Sequence, residues 1–264
     1  MMAVPRILLF TVTILPFAAM LVLVALAAPG LELAAGSASL GALAHVLRNT
    51  FWIVLGATAL AWLVALPGVL TSFAALGRRA PGGAVRQIVD FGSTFPRLLW
   101  GVAGASLFGG VLGLGVSALT GILTLGCLLA PIVATTLQDG FALQARRVSP
   151  TCRMMGMTRF QAVWYCVLPA AAPSLWTALR LSLARGLGDA AAVILTSGSS
   201  FALASSLMDP GATLSVYVLV LVQETPGQQH TAYAAAALLF GLSGLLQCLP
   251  GLLSFIFKRS RTGD

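Results

Sequence analysis

The chain has 264 residues; 58% are hydrophobic, 8% are charged, and the formal net charge is +8. Water-soluble domains carry about 25% charged residues, so a solvated surface of ordinary size is excluded and the composition is that of a membrane protein. The positive excess is therefore read by position along the chain, not as a nucleic-acid footprint.

Runs of about 20 apolar residues mark candidate spans. The first, residues 7–28, follows Arg6. It is longer than the apolar core of a signal peptide, about 7–15 residues, and reads as a retained span despite Pro16. The second covers 50–76 and the third 94–114. A glycine-rich break, GGVLGLG, separates the third from a fourth at 117–137. The connection that follows, 139–173, is long, basic and moderately polar. Within it Gly156 divides a short helix near 151–156 from a second near 158–168. Thr158 is a suitable N-cap for the second helix, and Pro169 should stop it. The fifth span is 174–198 and the sixth 232–257. Between them, Pro210-Gly211 and Pro226-Gly227 break the 199–231 connection into turns around a short helix at 213–224.

Arginine placement orders these spans. One side of the membrane receives Arg6, Arg78, Arg79, Arg86, Arg146, Arg147, Arg153, Arg159, Lys258, Arg259 and Arg261. The other side receives Arg48, and its long 199–231 connection holds Asp209 and Glu224 without Lys or Arg. The positive-inside rule makes the first side cytoplasmic. Six spans with both termini inside is the expectation.

Three arginines remain at membrane depth. Arg97 and Arg180 lie near span ends, where long side chains can snorkel to the interface. Arg185 lies deeper, with Asp189 four residues on. A charge at the bilayer centre costs about 2.5–3.5 kcal/mol even on the lenient scale. On a continuous helix the two residues share one face. A guanidinium grips tetrahedral oxyanions in forked geometry and keeps its charge when buried. Arg185 and Asp189, with Arg180, are therefore candidates for a solute path, with Asp189 holding Arg185 when the path is empty. A gating contact, a subunit contact and a plain packing pair remain open for the same residues. Gly186 and Gly188 beside them allow close helix approach or a hinge.

Other chemistry is not supported. Cys127, Cys152, Cys166 and Cys248 show neither CxxC pairing nor spacing with histidine. His45 and His230 lack a third metal ligand. The single lysine, Lys258, is in no phosphate-binding loop. The chain is expected to be neither an enzyme nor a nucleotide- or metal-binding protein.

The stretch MGMTRFQAVWYCVLPAAAPSLWTALRLSLARGLGDAAAVILTSG resembles the coupling region of bacterial ABC-importer permeases. Gly156, Leu168, Pro169 and Pro173 stand at that pattern's positions. ARGLGDAAAVILTSG is most similar to phosphate-importer permeases of the PstA type, matched at Arg185, Gly188, Asp189, Thr196 and Gly198. Two departures stand out. Pro150-Thr151-Cys152 replaces the usual Glu-Ala-Ala, and Asp189 replaces a glutamate.

The resemblance implies an all-α membrane protein with six transmembrane helices of the type I ABC importer permease fold. It places a cytoplasmic coupling helix between spans 4 and 5. The implied organisation is an N-terminal span and loop at 1–48, a permease core at 49–258 holding the coupling loop 139–173, and a tail at 259–264. ATPase coupling would fall to Arg153, Met155, Gly156, Arg159, Phe160, Leu168 and Pro169, with Met154 and Val163 completing an apolar seat. The implied partners are a second permease chain, homologous but distinct, a cytoplasmic ABC ATPase dimer holding ATP and Mg, and an extracytoplasmic solute-binding protein. The implied cargo is phosphate or another oxyanion, such as molybdate, tungstate, sulfate or phosphonate. A non-transporting subunit that senses and signals transporter state is the rival, favoured by the missing acid.

Overall fold

A computed structural model describes residues 39–76, 83–224 and 229–261. The expected first span at 7–28 lies outside them. The described residues are all-α.

Helix α1, Ser39–Leu76, starts earlier than the expected second span and runs 38 residues. Helix α2, Gly83–Thr94, precedes the expected third span. Pro96, extended at φ −58° and ψ 130°, separates it from α3, Arg97–Gly104. Helix α3 widens without a break into a π-helical segment, Ala105–Val111. The glycine break that follows is real: Gly113 and Gly115 have φ of 71° and 62°, a region that side chains with a Cβ avoid.

Helix α4, Ala118–Met154, is 37 residues long. It continues where the sequence suggests a loop from 139, because Phe141, Ala145 and Cys152 extend its buried stripe. Gly156, at φ 72°, turns the chain. Helix α5 then runs from Arg159–Ala162 through a π segment, Val163–Val167, to Leu168–Ala170. It passes through Pro169 and ends two residues later than expected. The wide turn before Pro169 relaxes the clash that a proline ring makes with the preceding turn.

Helix α6, Ala172–Gly188, leaves α5 at a bend of 67°. The short α7, Ala191–Thr196, completes the expected fifth span after a break. Helix α8, Leu214–Glu224, is the short helix expected between the last two spans, and α9 is Gln229–Arg261. Among the described residues two helical stretches, Gly41–Thr71 and Ala118–Val148, are long and apolar enough to cross a membrane. The bent pair Phe160–Ala170 and Ala172–Gly188 qualifies when taken together.

The core lies between α1 and α4, the most extensive helix contact. Ala57, Ala61 and Ala65 form a buried small-residue stripe on α1, which lets the backbones approach as in membrane bundles. Leu125, Leu129, Val133 and Leu137 of α4 are buried in the same core. The outer side of α1 is as apolar as its inner side: Leu63 is 73% exposed and Phe51 60%. Only lipid or another apolar surface suits such a face.

The segment between α7 and α8 is tied down by backbone groups. The first N–H groups of a helix have no partner within it. Those of Ser117, Ala118 and Leu119 at the start of α4 donate to the carbonyls of Thr196, Asp209 and Leu207. The Asn49 amide donates to Ala202 O at 3.0 Å and accepts from Ala204 N–H at 3.2 Å. Thr50 Oγ1 accepts from Leu214 N–H at 2.7 Å and so caps α8. The described loop therefore has a defined shape, set by α1 and α4.

Candidate functional site

The sequence places Arg185 and Asp189 on one helical face, but the helix ends between them. Helix α6 stops at Gly188, and Asp189 is extended, with φ −87° and ψ 97°. Two glycines weaken the last turn, and a short acidic side chain competes for local backbone groups. Asp189 Oδ1 accepts from Ala192 N–H at 3.2 Å, taking up an otherwise free donor of α7.

Asp189 is 2% exposed. Its charge partner is Arg97, whose Nη1 lies 3.8 Å from Oδ2. That distance is beyond a hydrogen bond, and Oδ2 has no hydrogen-bond partner among the described residues. Arg97 is the first residue of α3, one turn before Gly101. A Cβ on Gly101 would lie 2.9 Å from Ala192 Cα, so α3 and α7 touch backbone to backbone. This contact brings Arg97 to the break. Its span-end position had suggested only snorkelling, because nothing local in the sequence links it to Asp189.

Arg185 is exposed. It has no ion pair or hydrogen bond among the described residues. It occupies the last turn of α6, where the helix dipole favours a cation. Leu183 and Leu187 line an apolar cavity of about 530 Å³ with residues of α1, α8 and α9. Arg185 is two residues from each, about 200° round the helix, and so lies on the other side of α6. Arg180 is engaged elsewhere: Nη1 donates to Gln247 O on α9 at 3.1 Å, and Nη2 to Thr177 Oγ1 at 3.5 Å. The two glycines divide the roles considered for them. A Cβ on Gly186 would meet Val54 at 3.0 Å, whereas Gly188 has open space and ends the helix.

The second candidate region is the turn between α4 and α5. Thr158 and Gln161 form a capping box. Thr158 N–H donates to Gln161 Oε1 at 3.0 Å, and Gln161 N–H donates to Thr158 Oγ1 at 3.4 Å. Met154 is 89% exposed, and Met155 and Phe160 are exposed beside it. Val163, expected in this outward seat, is buried, while Trp164 and Tyr165 are exposed. The π segment at Val163–Val167 adds a residue to the turn and shifts the face that α-helical spacing predicts. Leu168 packs against the core, and Pro169 lies within the final turn of α5. Arg153 and Arg159 flank the turn; their side chains lie outside the described part. Cys127, Cys152 and Cys166 are free thiols.

An apolar helical fold with a broken span, a buried acid at the break and an exposed arginine beside it is that of a multi-span membrane protein. The chain belongs to the family described as binding-protein-dependent transport system inner membrane component, whose sequence profile matches residues 68–247. Members of this family are permease subunits without catalytic activity of their own.

The chain is similar to the probable ABC transporter permease protein YqgH of Bacillus subtilis, at 30% identity over 47% of this chain and 38% of that protein. It is 26% identical to the phosphate transport system permease protein PstC of Pasteurella multocida, over 48% of this chain and 40% of the relative. It is also 26% identical to the phosphate transport system permease protein PstA homolog of Mycoplasma pneumoniae, over 66% of this chain and 28% of the relative. The chain thus spans less than half the length of each of these three relatives.

Proposed function

We propose that this chain forms half of the membrane pore of an ATP-driven importer for an inorganic oxyanion, with phosphate as the cargo. The observation that carries the reading is Arg185: an exposed guanidinium with no counter-ion among the described residues, at the end of an interrupted membrane helix. Interrupted helices at membrane depth are where transporters bind polar solutes. An unpaired, permanently charged fork suits a tetrahedral oxyanion. Relatives named for phosphate transport support phosphate over other oxyanions.

The proposal includes six spans with both termini cytoplasmic, which is the arrangement the arginine asymmetry favours. The α4–α5 turn would then face the cytoplasm. Met154, Met155 and Phe160 are exposed there and would seat in a groove of a partner ATPase. That partner holds ATP and Mg, and the capping box keeps the turn rigid enough to transmit force. A second permease chain completes the pore, and a solute-binding protein docks on the opposite face.

The test is ATP-dependent uptake by the assembled complex in proteoliposomes, with phosphate, molybdate and sulfate compared. Phosphate uptake is expected. Arg185→Ala should lower it by about tenfold or more, the loss of at least one charge-assisted hydrogen bond, with assembly unchanged. Normal uptake by that variant would remove Arg185 from the path. An assembled complex that moves none of the three anions would overturn the transport reading in favour of a sensing subunit.

A further inference from the structure

We infer that Arg97 is the positioning residue of this site: it neutralises Asp189 across the break in the fifth span and so leaves the charge of Arg185 available to an anion. The part concerning an anion rests on the proposed function; the pairing itself does not.

Three observations carry it. First, Asp189 is buried, with Oδ1 committed to Ala192 N–H and Oδ2 without a hydrogen bond among the described residues. A buried carboxylate in that condition must find a cation or take up a proton. Second, Arg97 Nη1 lies 3.8 Å from Oδ2, and this is the ion pair of Asp189 among the described residues. The Arg97 side chain is 48% exposed, so the guanidinium is held at one end and open at the other. Third, its position follows from the packing. Arg97 and Gly101 are one turn apart on α3, and Gly101 meets the Ala192 backbone on α7.

The charge balance then differs from that of a simple intrahelical pair. Arg97 and Asp189 cancel, and the positive charge left at the break among the described residues is that of Arg185. Without Arg97 the acid is left without its counter-ion. Its field would then oppose that of Arg185, and the break would keep only its backbone contact with α3.

The test uses the full assembled complex carrying Arg97→Gln, Asp189→Asn, or both. Asparagine retains an oxygen for Ala192 N–H and replaces the charged Oδ2 by a neutral amide nitrogen. Arg97→Gln is expected to lower the thermal midpoint and to raise the half-saturating phosphate concentration by about tenfold, the cost of one opposed charge. Adding Asp189→Asn should return both quantities to near the starting values. Asp189→Asn should not rescue Arg185→Gln, because that pair is not the one formed.

If Arg97→Gln is absent from the membrane, recovery of its level in the double variant supports the pairing, and failure to recover overturns it. The inference is also overturned if Arg97→Gln leaves both quantities unchanged, or if the double variant is no better than Arg97→Gln alone. A wild-type complex that transports no oxyanion would sink the proposed function. Rescue of the thermal midpoint would still stand or fall by itself.

Discussion

Gly101→Ala tests the contact that brings α3 to the broken span. The added Cβ would lie 2.9 Å from Ala192 Cα and 3.2 Å from Ala192 O. Carbon atoms rest at about 3.5–4.0 Å, so α3 must retreat by about 0.6–1 Å. Both opposing atoms are backbone, so no side-chain rotation relieves the clash. Overpacking of this kind costs about 1–3 kcal/mol, while replacing a helical glycine by alanine returns about 1 kcal/mol. Gly244→Ala supplies the control: Gly244 is helical and a Cβ there meets nothing within 4 Å. Both variants share the propensity gain, so the difference between them isolates packing at about 1–3 kcal/mol. At about 2–4 °C per kcal/mol for a chain of this size, Gly101→Ala should unfold about 2–12 °C below Gly244→Ala in a detergent thermal melt. Equal midpoints would refute the backbone contact between α3 and α7, and with it the route by which Arg97 reaches Asp189.

Two further outcomes follow from local geometry. Thr158→Ala removes the side-chain cap of α5 and should weaken that helix start by about 1 kcal/mol; hydrogen exchange of the amides near Gln161 should rise while those in the α1–α4 core stay unchanged. On the connecting loop, the Ser205 hydroxyl and the Ser206 N–H donate to the Asp209 carboxylate at 2.7 and 2.8 Å and hold its pKa below the usual value. A lowered folded-state pKa means that the contribution is present above the unfolded value of about 3.9 and is lost as pH falls through the folded value. Proteolytic protection of this loop should therefore drop as pH falls below about 4, and Asp209→Asn should remove that step.

Much of the architecture was legible in the chain. Apolar length marked α1 and the first part of α4. The glycines between the third and fourth spans marked a real break, and Thr158 marked the start of α5. These are local signals, since a lipid-facing helix advertises itself by composition and a cap by one residue and its neighbours. Where local signals compete, the reading drifted. The residues after Gln138 are polar enough to suggest a loop, yet buried Phe141 and Cys152 carry α4 on to Met154. Proline spacing set the end of α5 at Leu168, and a wide turn allowed the helix through Pro169.

At the candidate site the division is sharper. The sequence by itself determined that a cation and an acid sit deep within an apolar span, because burying charge is costly and its presence in such a segment cannot be hidden by composition. Which charges meet was decided by tertiary structure. A break at Asp189 cancels the helical register with Arg185, and packing of Gly101 on Ala192 delivers Arg97 from a distant segment. The physical reason is that register along one helix is a property of neighbours in the chain. A contact between helices depends on where a missing Cβ lets two backbones touch.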